Sequence, residues 1–161
     1  MIGAELSAVV VTVSTRASVG VYPDTTGPVI AAWCVARGFR TETRVVSDGP
    51  DLGPALRHAL AGEPELIVTT GGTGISPQDR TPEATRELLD LELPGFSEEL
   101  RRRGAAASAT ALLSRGTAGV AGSTLLVNLP GSSGGVRDGL QLLGELVDHA
   151  IAQIHGGDHA R

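Results

Sequence analysis

The chain alternates between short apolar runs and stretches in which apolar residues recur at helical spacing. A largely β-branched run covers residues 8–13, mainly apolar runs cover residues 65–70 and 124–129, and a mixed run covers residues 41–47. Continuous runs of this kind are typical of strands that are buried on both faces of a sheet. The pattern therefore predicts four strands, and we expect two further short strands around Ser114-Arg115-Gly116, within residues 109–120.

Helices are predicted between these strands. Pro28 suits the first turn of a helix that stops at Gly38, and Asp51 is placed to cap a helix with apolar residues at 52, 56, 59 and 60. Thr81 is predicted to cap a helix that reaches about Leu91. A short helix follows Pro94, and a long one carries apolar residues from 136 to 154 at spacings of three and four.

Strands that alternate with helices indicate an α/β fold with a mainly parallel sheet covered on both sides. The length of 161 residues fits one domain, 1–161, in which 156–161 form a tail. In such folds ligands bind at the carboxyl ends of the strands, near the point where strand order reverses. We expect the loops 14–16, 48–49, 71–79 and 130–135 to meet at one edge, with the strand before Asp48 next to the strand before Gly71.

The loop after residues 65–70 has the most informative composition. Thr70-Gly71-Gly72-Thr73-Gly74 places three glycines within four positions, and Asp79 follows five residues later. Glycine allows positive φ and close approach of a ligand to the backbone, so bare N–H groups can bind an anion. Pro77 occupies the third glycine position of the dinucleotide-binding pattern, which excludes that motif. A phosphate site is favoured over a plain tight turn because of Asp79, which could hold Mg²⁺.

Two other strand ends leave alternatives open. Asp48 precedes a glycine and is either a turn residue or a second Mg²⁺ ligand facing the phosphate loop. Pro130-Gly131-Ser132-Ser133 either binds a second anionic group or simply caps the last helix. Arg101, Arg102 and Arg103 are interpreted as a solvated helix end.

Composition excludes several classes of function. The net charge of −5 argues against a nucleic-acid-binding surface, and no apolar stretch approaches the ~20 residues of a membrane span. All 13 basic residues are arginine, which excludes a Schiff-base lysine and the lysine-bearing phosphate loop. Cys34 is the single cysteine, so no internal disulfide forms. These features predict a cytoplasmic protein that binds neither nucleic acid nor membrane.

Several motifs together resemble the MogA/MoaB family of molybdenum-cofactor biosynthesis proteins, which includes the gephyrin G domain. The resemblance runs from Val10 to about Leu140, and its motifs are 69–74, Asp79, 81–85, 94–96, 113–115 and 128–132. Residues 14–18 and 20–24 resemble the adenylyltransferase branch. The family fold is a three-layer αβα sandwich, usually assembled as a homotrimer.

The resemblance also implies an activity, namely molybdopterin adenylyltransferase. Such an enzyme joins the terminal phosphate of molybdopterin to the AMP part of Mg-ATP and releases pyrophosphate; ATP and molybdopterin are its substrates and Mg²⁺ its cofactor. The family's two functional aspartates map onto Asp48 and Asp79, as catalytic residues and Mg²⁺ ligands. The predicted substrate- and nucleotide-binding residues are Ser14, Thr15, Arg16, Asp24, Thr70, Gly71, Gly72, Thr73, Gly74, Asn128, Pro130, Gly131, Ser132 and Ser133.

Two other functions compete with this one. A MoaB-like protein would bind molybdopterin or its precursor without adenylyl transfer, and retention of both Asp48 and Asp79 favours the enzyme. A generic nucleotide-binding α/β protein is disfavoured because the glycine loop matches neither common nucleotide motif. Other molybdenum-cofactor biosynthesis proteins are the expected protein partners.

Overall fold

A computed structural model describes residues 5–20 and 23–157 of the chain. Residues 21 and 22, from the motif at 20–24, and residues 158–161, from the predicted tail, lie outside the described residues. Six strands form one sheet in the order β2-β1-β3-β6-β5-β4. Their bounds are β1 Ser7–Val13, β2 Arg40–Val46, β3 Leu66–Thr70, β4 Leu91–Glu92, β5 Ala118–Ala121 and β6 Thr124–Leu129.

Strands β2, β1, β3 and β6 run parallel to one another. At the other end of the sheet, β5 pairs antiparallel with both β6 and β4. The prediction of a mainly parallel sheet is therefore confirmed. From β1 the chain passes to β2 on one side and then to β3 on the other, so strand order reverses between β1 and β3. The glycine loop follows β3, directly beside this switch point, where ligands bind in such sheets.

Helices cover both faces of the sheet. They are α1 Thr15–Ser18, α2 Thr26–Ala36, α3 Leu52–Ala61, α4 Thr81–Arg86, α5 Pro94–Ala105 and α6 Ser133–Ile154, with a 3-10 helix at Ala109–Leu113. None of the helices within the described ranges is both long and apolar enough to cross a membrane.

Two apolar cores follow from the alternation of side chains along the strands. In β1, Ala8 and Val10 pack into the core shared with α2, α5 and α6, whereas Val9 and Val11 pack into the core shared with α3. Successive strand residues point to opposite faces, so one continuous apolar run supplies both cores. The three-layer αβα sandwich is thus confirmed, and Cys34 lies fully buried in the first core, where burial raises its thiol pKa to about 11.

The prediction for residues 81–91 was wrong at both ends. Thr81 is the first helical residue rather than the cap, and its hydroxyl donates to the Gly71 carbonyl at 3.0 Å. The helix stops at Arg86, because Leu91 and Glu92 pair with β5 as an antiparallel edge strand. Long-range pairing with a segment almost thirty residues away overrides the local helical pattern.

Three other local predictions need correction. Residues 109–113 form a 3-10 helix instead of a strand, while the second predicted strand of this region is confirmed as β5. A short helix, α1, occupies the predicted polar loop after β1, with Ser14 as its cap. Asp51 stands at the N-cap position of α3, but its side chain makes no capping hydrogen bond.

Candidate functional site

Gly71 and Gly72 begin the glycine loop with φ of +95° and +66°, a region that side chains with a Cβ rarely adopt. Neighbouring protein atoms also surround both glycines. A Cβ on Gly71 would lie 2.4 Å from the Val13 carbonyl oxygen, and one on Gly72 would lie 2.3 Å from the Thr81 hydroxyl. The predicted positive φ at the glycines is therefore confirmed. The structure adds that the loop packs tightly against the end of β1.

The loop presents backbone N–H groups at the sheet edge. The Gly71 N–H donates to the Leu129 carbonyl at 3.1 Å, whereas those of Gly72, Thr73 and Gly74 donate to no acceptor among the described residues. Gly131 lies at the start of the second loop, and a Cβ added to it would be 3.4 Å from the Gly71 Cα. The two predicted anion-binding loops are thus adjacent, as an anion contacted by both would require.

Asp79 closes the far end of the glycine loop. Its Oδ2 accepts a hydrogen bond from the Ser76 N–H at 3.0 Å, and its own N–H donates to the Ser76 carbonyl at 3.0 Å. A Cβ on Gly74 would lie 2.8 Å from the same Oδ2. The carboxylate is therefore folded back over the glycines, with one oxygen partly engaged and the side chain half-buried.

Asp48 reaches the same loop from β2, although not in the predicted way. Its strand does not adjoin β3, because β1 lies between them. The side chain nevertheless crosses the end of β1: its Oδ1 accepts from the Arg80 N–H at 3.3 Å, and its Oδ2 lies 2.7 Å from the position a Cβ on Gly72 would take. The last residue of β1 lies beside the same position, because Val13 Cγ1 is 3.1 Å from where that Cβ would be.

Partial burial raises the pKa of Asp48, as do the negative charges of Asp79 and Glu83; hydrogen bonds from the Arg80 and Gly49 N–H groups oppose the rise. The folded protein therefore keeps this proton to higher pH than the unfolded chain. The resulting stabilisation is present at low pH and is lost as the pH rises through the folded-state pKa.

We expect Asp48→Asn to be more stable than the wild-type protein at neutral pH, because the amide removes a carboxylate that is partly buried and is repelled by its neighbours. The stability difference should shrink as the pH falls toward 3.8, the ordinary Asp pKa. Urea unfolding curves of both proteins across this range measure the difference. A variant less stable than the wild-type protein at neutral pH would contradict the repulsion.

The start of the chain contributes residues with internal partners. Ser14 caps α1 by accepting from the Ala17 N–H at 3.2 Å, and Thr15 and Arg16 follow on the exposed surface. Asp24 accepts from the Thr12 hydroxyl at 2.9 Å and from the Gly27 N–H at 3.0 Å, which fixes the start of α2 beside β1. Binding roles for these four residues stay predictions.

The second loop shows one of its two predicted alternatives. Ser132 caps α6, since its hydroxyl accepts from the Gly135 N–H at 3.1 Å, while Ser133 begins the helix. The Thr70 hydroxyl donates to the Pro130 carbonyl at 2.8 Å and thereby ties the end of β3 to this loop. The first N–H groups of any helix lack intrahelical acceptors, and the Ser132 cap binds only that of Gly135. Binding of a second anionic group at this loop stays a prediction.

Asn128 has a more interior position than its predicted binding role suggests. It is 2% exposed; its amide donates to the hydroxyls of Thr69 and Thr85 at 2.9 and 3.0 Å and accepts from the Thr117 N–H at 3.1 Å. The side chain thus joins β3, α4 and the residue that precedes β5.

Replacing Asn128 with Leu should therefore lower the free energy of unfolding by about 3 kcal/mol, because it strands a buried N–H and two hydroxyls. Urea unfolding measures the loss. Gln141→Ala, which removes an exposed amide on α6, should stay within about 0.5 kcal/mol of wild type. Unchanged stability with weakened ligand binding would instead support the predicted binding role of Asn128.

A cavity of about 570 Å³ opens beside the glycine loop, within the usual range for a small-molecule site. Its walls come from Thr73 and Gly74, from the loop at Pro130, and from α5 and the 3-10 helix. Ser97, on α5, is 6% exposed, and its hydroxyl finds no hydrogen-bond partner among the described residues. The site thus combines an anion-binding loop with an adjoining, mainly apolar space.

The family assignment follows from a comparison with known protein families. Residues 9–149 match the family model described as a probable molybdopterin binding domain. The chain belongs to this molybdopterin-binding family. The resemblance to the MogA/MoaB proteins, drawn from the motifs at the strand ends, is thereby confirmed.

Individual members of the molybdopterin-binding family match along most of the chain. The chain is 37% identical over 139 residues to the molybdopterin adenylyltransferase of Haemophilus influenzae, which covers 81% of this chain and 69% of the relative. It is 37% identical over 154 residues to the molybdenum cofactor biosynthesis bifunctional protein of Synechococcus elongatus, covering 94% of this chain but 48% of the relative. The chain therefore spans about half the length of that relative.

A solved structure supports the fold of this molybdopterin-binding chain. The molybdopterin biosynthesis Mog protein from Mycobacterium ulcerans is 53% identical, with a TM-score of 0.90. The match covers 92% of this chain and 99% of that structure. This chain therefore shares its fold with that protein along almost the whole of the solved structure.

The donor set of this candidate site can be tested against the implied Mg²⁺. No group of three or more His, Cys, Asp or Glu suited to a metal occurs among residues 5–20 and 23–157. Mg²⁺, however, commonly uses one or two carboxylates together with substrate phosphates rather than a complete protein cage. Asp48 and Asp79 supply two carboxylates whose mutual repulsion a cation would relieve, so the residues fit the ion.

Arg115 is the residue of this candidate site whose contribution the sequence did not predict. Leu113-Ser114-Arg115 carried part of the resemblance, but no function was assigned to it. In the structure, the Arg115 side chain contacts Gly74, Asp79 and Glu83, all at or beside the glycine loop. Only the tertiary structure brings these segments together, since more than thirty residues separate Arg115 from each of its partners.

Proposed function

We propose that this chain is a molybdopterin adenylyltransferase of molybdenum-cofactor biosynthesis. It would join molybdopterin to the AMP part of ATP and release pyrophosphate. The observation that carries the proposal is the convergence of Asp48, Asp79 and unpaired loop N–H groups at the strand switch point. The named adenylyltransferase relative supports it along most of the chain.

The reaction needs little covalent chemistry from the protein. An oxygen of the terminal phosphate of molybdopterin attacks the α-phosphorus of ATP, a new P–O bond forms, and the bond to the β-phosphate breaks. Both reactants are polyanions, so the site must hold them in line and offset their charge. N–H groups of Gly72, Thr73 and Gly74 can contact phosphate oxygens without a lysine, and the cavity beside Thr73 has room for an organic substrate.

Asp48 and Asp79 are the proposed Mg²⁺ ligands. When bound, the ion would supply electrostatic stabilisation of the phosphates and of the pyrophosphate leaving group. The chain's own contribution is to present the two carboxylates from opposite sides of β1. Besides partial burial, the negative charge of Asp79 contributes to the raised pKa of Asp48, which supports a role for a cation near the two carboxylates.

The test is incubation of the purified protein with molybdopterin, ATP and Mg²⁺, followed by measurement of pyrophosphate and adenylated molybdopterin. Both products should appear in equal amounts, and omission of molybdopterin should abolish both. Tight molybdopterin binding without pyrophosphate would favour the alternative, a MoaB-like binding protein, and would overturn the proposed activity.

Further parts of the proposal rest on the family resemblance. We propose a homotrimer that works in the cytoplasm alongside other molybdenum-cofactor biosynthesis proteins. Light scattering on the purified chain measures the assembly, and a mass of one or two chains would contradict the trimer.

A further inference from the structure

The Arg115 side chain donates hydrogen bonds to two backbone carbonyls of the glycine loop. Its Nε donates to the Gly74 carbonyl at 2.8 Å, and its Nη2 donates to the Asp79 carbonyl at 2.8 Å. Its Nη1 donates to both carboxylate oxygens of Glu83, at 2.6 and 3.1 Å. One planar guanidinium therefore links the middle and the far end of the loop to the first turn of α4.

The backbone of Arg115 adds another anchor, since its N–H donates to the Thr73 carbonyl at 2.7 Å. This bond would survive any substitution of the side chain. The segment around Arg115 is in turn held by Arg101 of α5, whose Nη1 donates to the carbonyls of Ser114 and Gly116 at 3.2 and 3.1 Å. Arg101 is therefore not the solvated helix end that the sequence suggested.

The charge pattern indicates what this arrangement serves. Glu83 is one of the negative charges that raise the pKa of Asp48, and Arg115 lies against it. Partial burial would raise the pKa of Glu83, but the hydrogen bond from Arg115, together with the backbone N–H of Glu83 and the positive charges of Arg115 and Arg80, lowers it overall. Arg115 thus keeps Glu83 ionised and hydrogen-bonded to itself. The carboxylates of Asp48 and Asp79 lie beside Gly72 and Gly74 instead.

We propose that Arg115 is a positioning residue of the adenylyl-transfer site, which sets the distance between Asp79 and the N–H groups at Gly74. The inference rests on the proposed function. Arg115 would not touch either substrate; it would act by holding the loop in the geometry that the phosphates need. An error of about 1 Å in such a site can lower the rate about 100-fold.

We expect Arg115→Ala to lower kcat per folded molecule by about 100-fold, with the KM for molybdopterin changed by less than about threefold. Arg115→Lys should recover little of the rate, since one ammonium group cannot serve three separated acceptors. Glu83→Gln should lower kcat by less than about tenfold, because the amide oxygen still accepts from Arg115. Arg86→Ala is the matched control: Arg86 lies on α4, as Glu83 does, and makes an exposed ion pair with Glu92. This variant should keep the wild-type rate.

A second readout needs no substrate. Hydrogen exchange of the Ser76, Asp79 and Thr81 amides, which donate within the loop, should become at least about tenfold faster in Arg115→Ala and stay unchanged in Arg86→Ala. If the wild-type protein releases no pyrophosphate, the proposed function fails, and this exchange comparison still decides whether Arg115 positions the loop.

Three results would overturn the inference. The first is a kcat within about threefold of wild type in folded Arg115→Ala, which would make the residue merely structural. The second is unchanged exchange of the loop amides. The third is failure of both Arg115→Ala and Arg115→Lys to fold at low temperature, which would make Arg115 a determinant of the fold instead.

Discussion

Asp79→Asn is expected to lower the rate of adenylyl transfer by at least about 100-fold while molybdopterin binding persists. An amide is a poor ligand for a hard cation, so the variant would lose charge stabilisation during phosphoryl transfer. The fold should survive, because the Asn oxygen can still accept from the Ser76 N–H, as Asp79 does at 3.0 Å. Pyrophosphate release and calorimetric titration with molybdopterin measure the two effects.

Asp90→Asn is the matched control for this experiment. Asp90 is exposed, and its Oδ2 also accepts a backbone N–H, that of Gly122 at 2.7 Å, far along the sheet from the glycine loop. The control variant should keep the wild-type rate. Near-normal turnover in Asp79→Asn would remove this residue from the reaction, whereas equal losses in both variants would indicate a general effect on the fold.

Gly72→Ala is expected to weaken ligand binding at the glycine loop and also to destabilise the protein. A residue with a Cβ at φ of +66° costs about 1–2 kcal/mol. The added methyl would also lie 2.3 Å from the Thr81 hydroxyl and 2.7 Å from Asp48 Oδ2, adding about 1–3 kcal/mol of overpacking. Relief of that contact must move Asp48 or the loop, so ATP affinity should fall at least about tenfold.

Gly122→Ala separates these two costs. Gly122 has a similar φ of +58°, yet a Cβ there would meet nothing within 4 Å. This variant should show the backbone cost alone and keep wild-type affinity for ATP and molybdopterin. Urea unfolding and calorimetric titration of both variants make the comparison. Unchanged affinities in Gly72→Ala would place the ligand site elsewhere on the molecule.

Much of the sheet could be predicted because its strands carry their own signal. Residues 8–13 supply apolar side chains to both faces, and a run that is apolar except for Thr12 is typical of a strand that is buried on both sides. The glycine loop was equally readable, since positive φ at consecutive positions requires glycine whatever surrounds it. These are local requirements, which a short stretch of sequence states by itself.

Other features depend on partners that are distant in sequence. Leu91 and Glu92 form a strand because β5 lies beside them. Thr81 is a helical residue of α4 rather than its cap, and its hydroxyl donates to the Gly71 carbonyl instead. The order β2-β1-β3 placed Asp48 one strand further from the glycine loop than predicted, although its side chain still reaches Gly72. None of these choices has a local signature.

The chain by itself determined the α/β class, the edge of the sheet where a ligand would bind and the residue types available there. Backbone conformation and the burial of apolar runs depend on near neighbours, so sequence is enough for them. Only the tertiary structure decided that Arg115 joins Gly74, Asp79 and Glu83, and that Asn128 faces inward to three buried partners. Such contacts depend on how strands are ordered in space, and a polar side chain carries no mark of which distant carbonyl or carboxylate will be its partner.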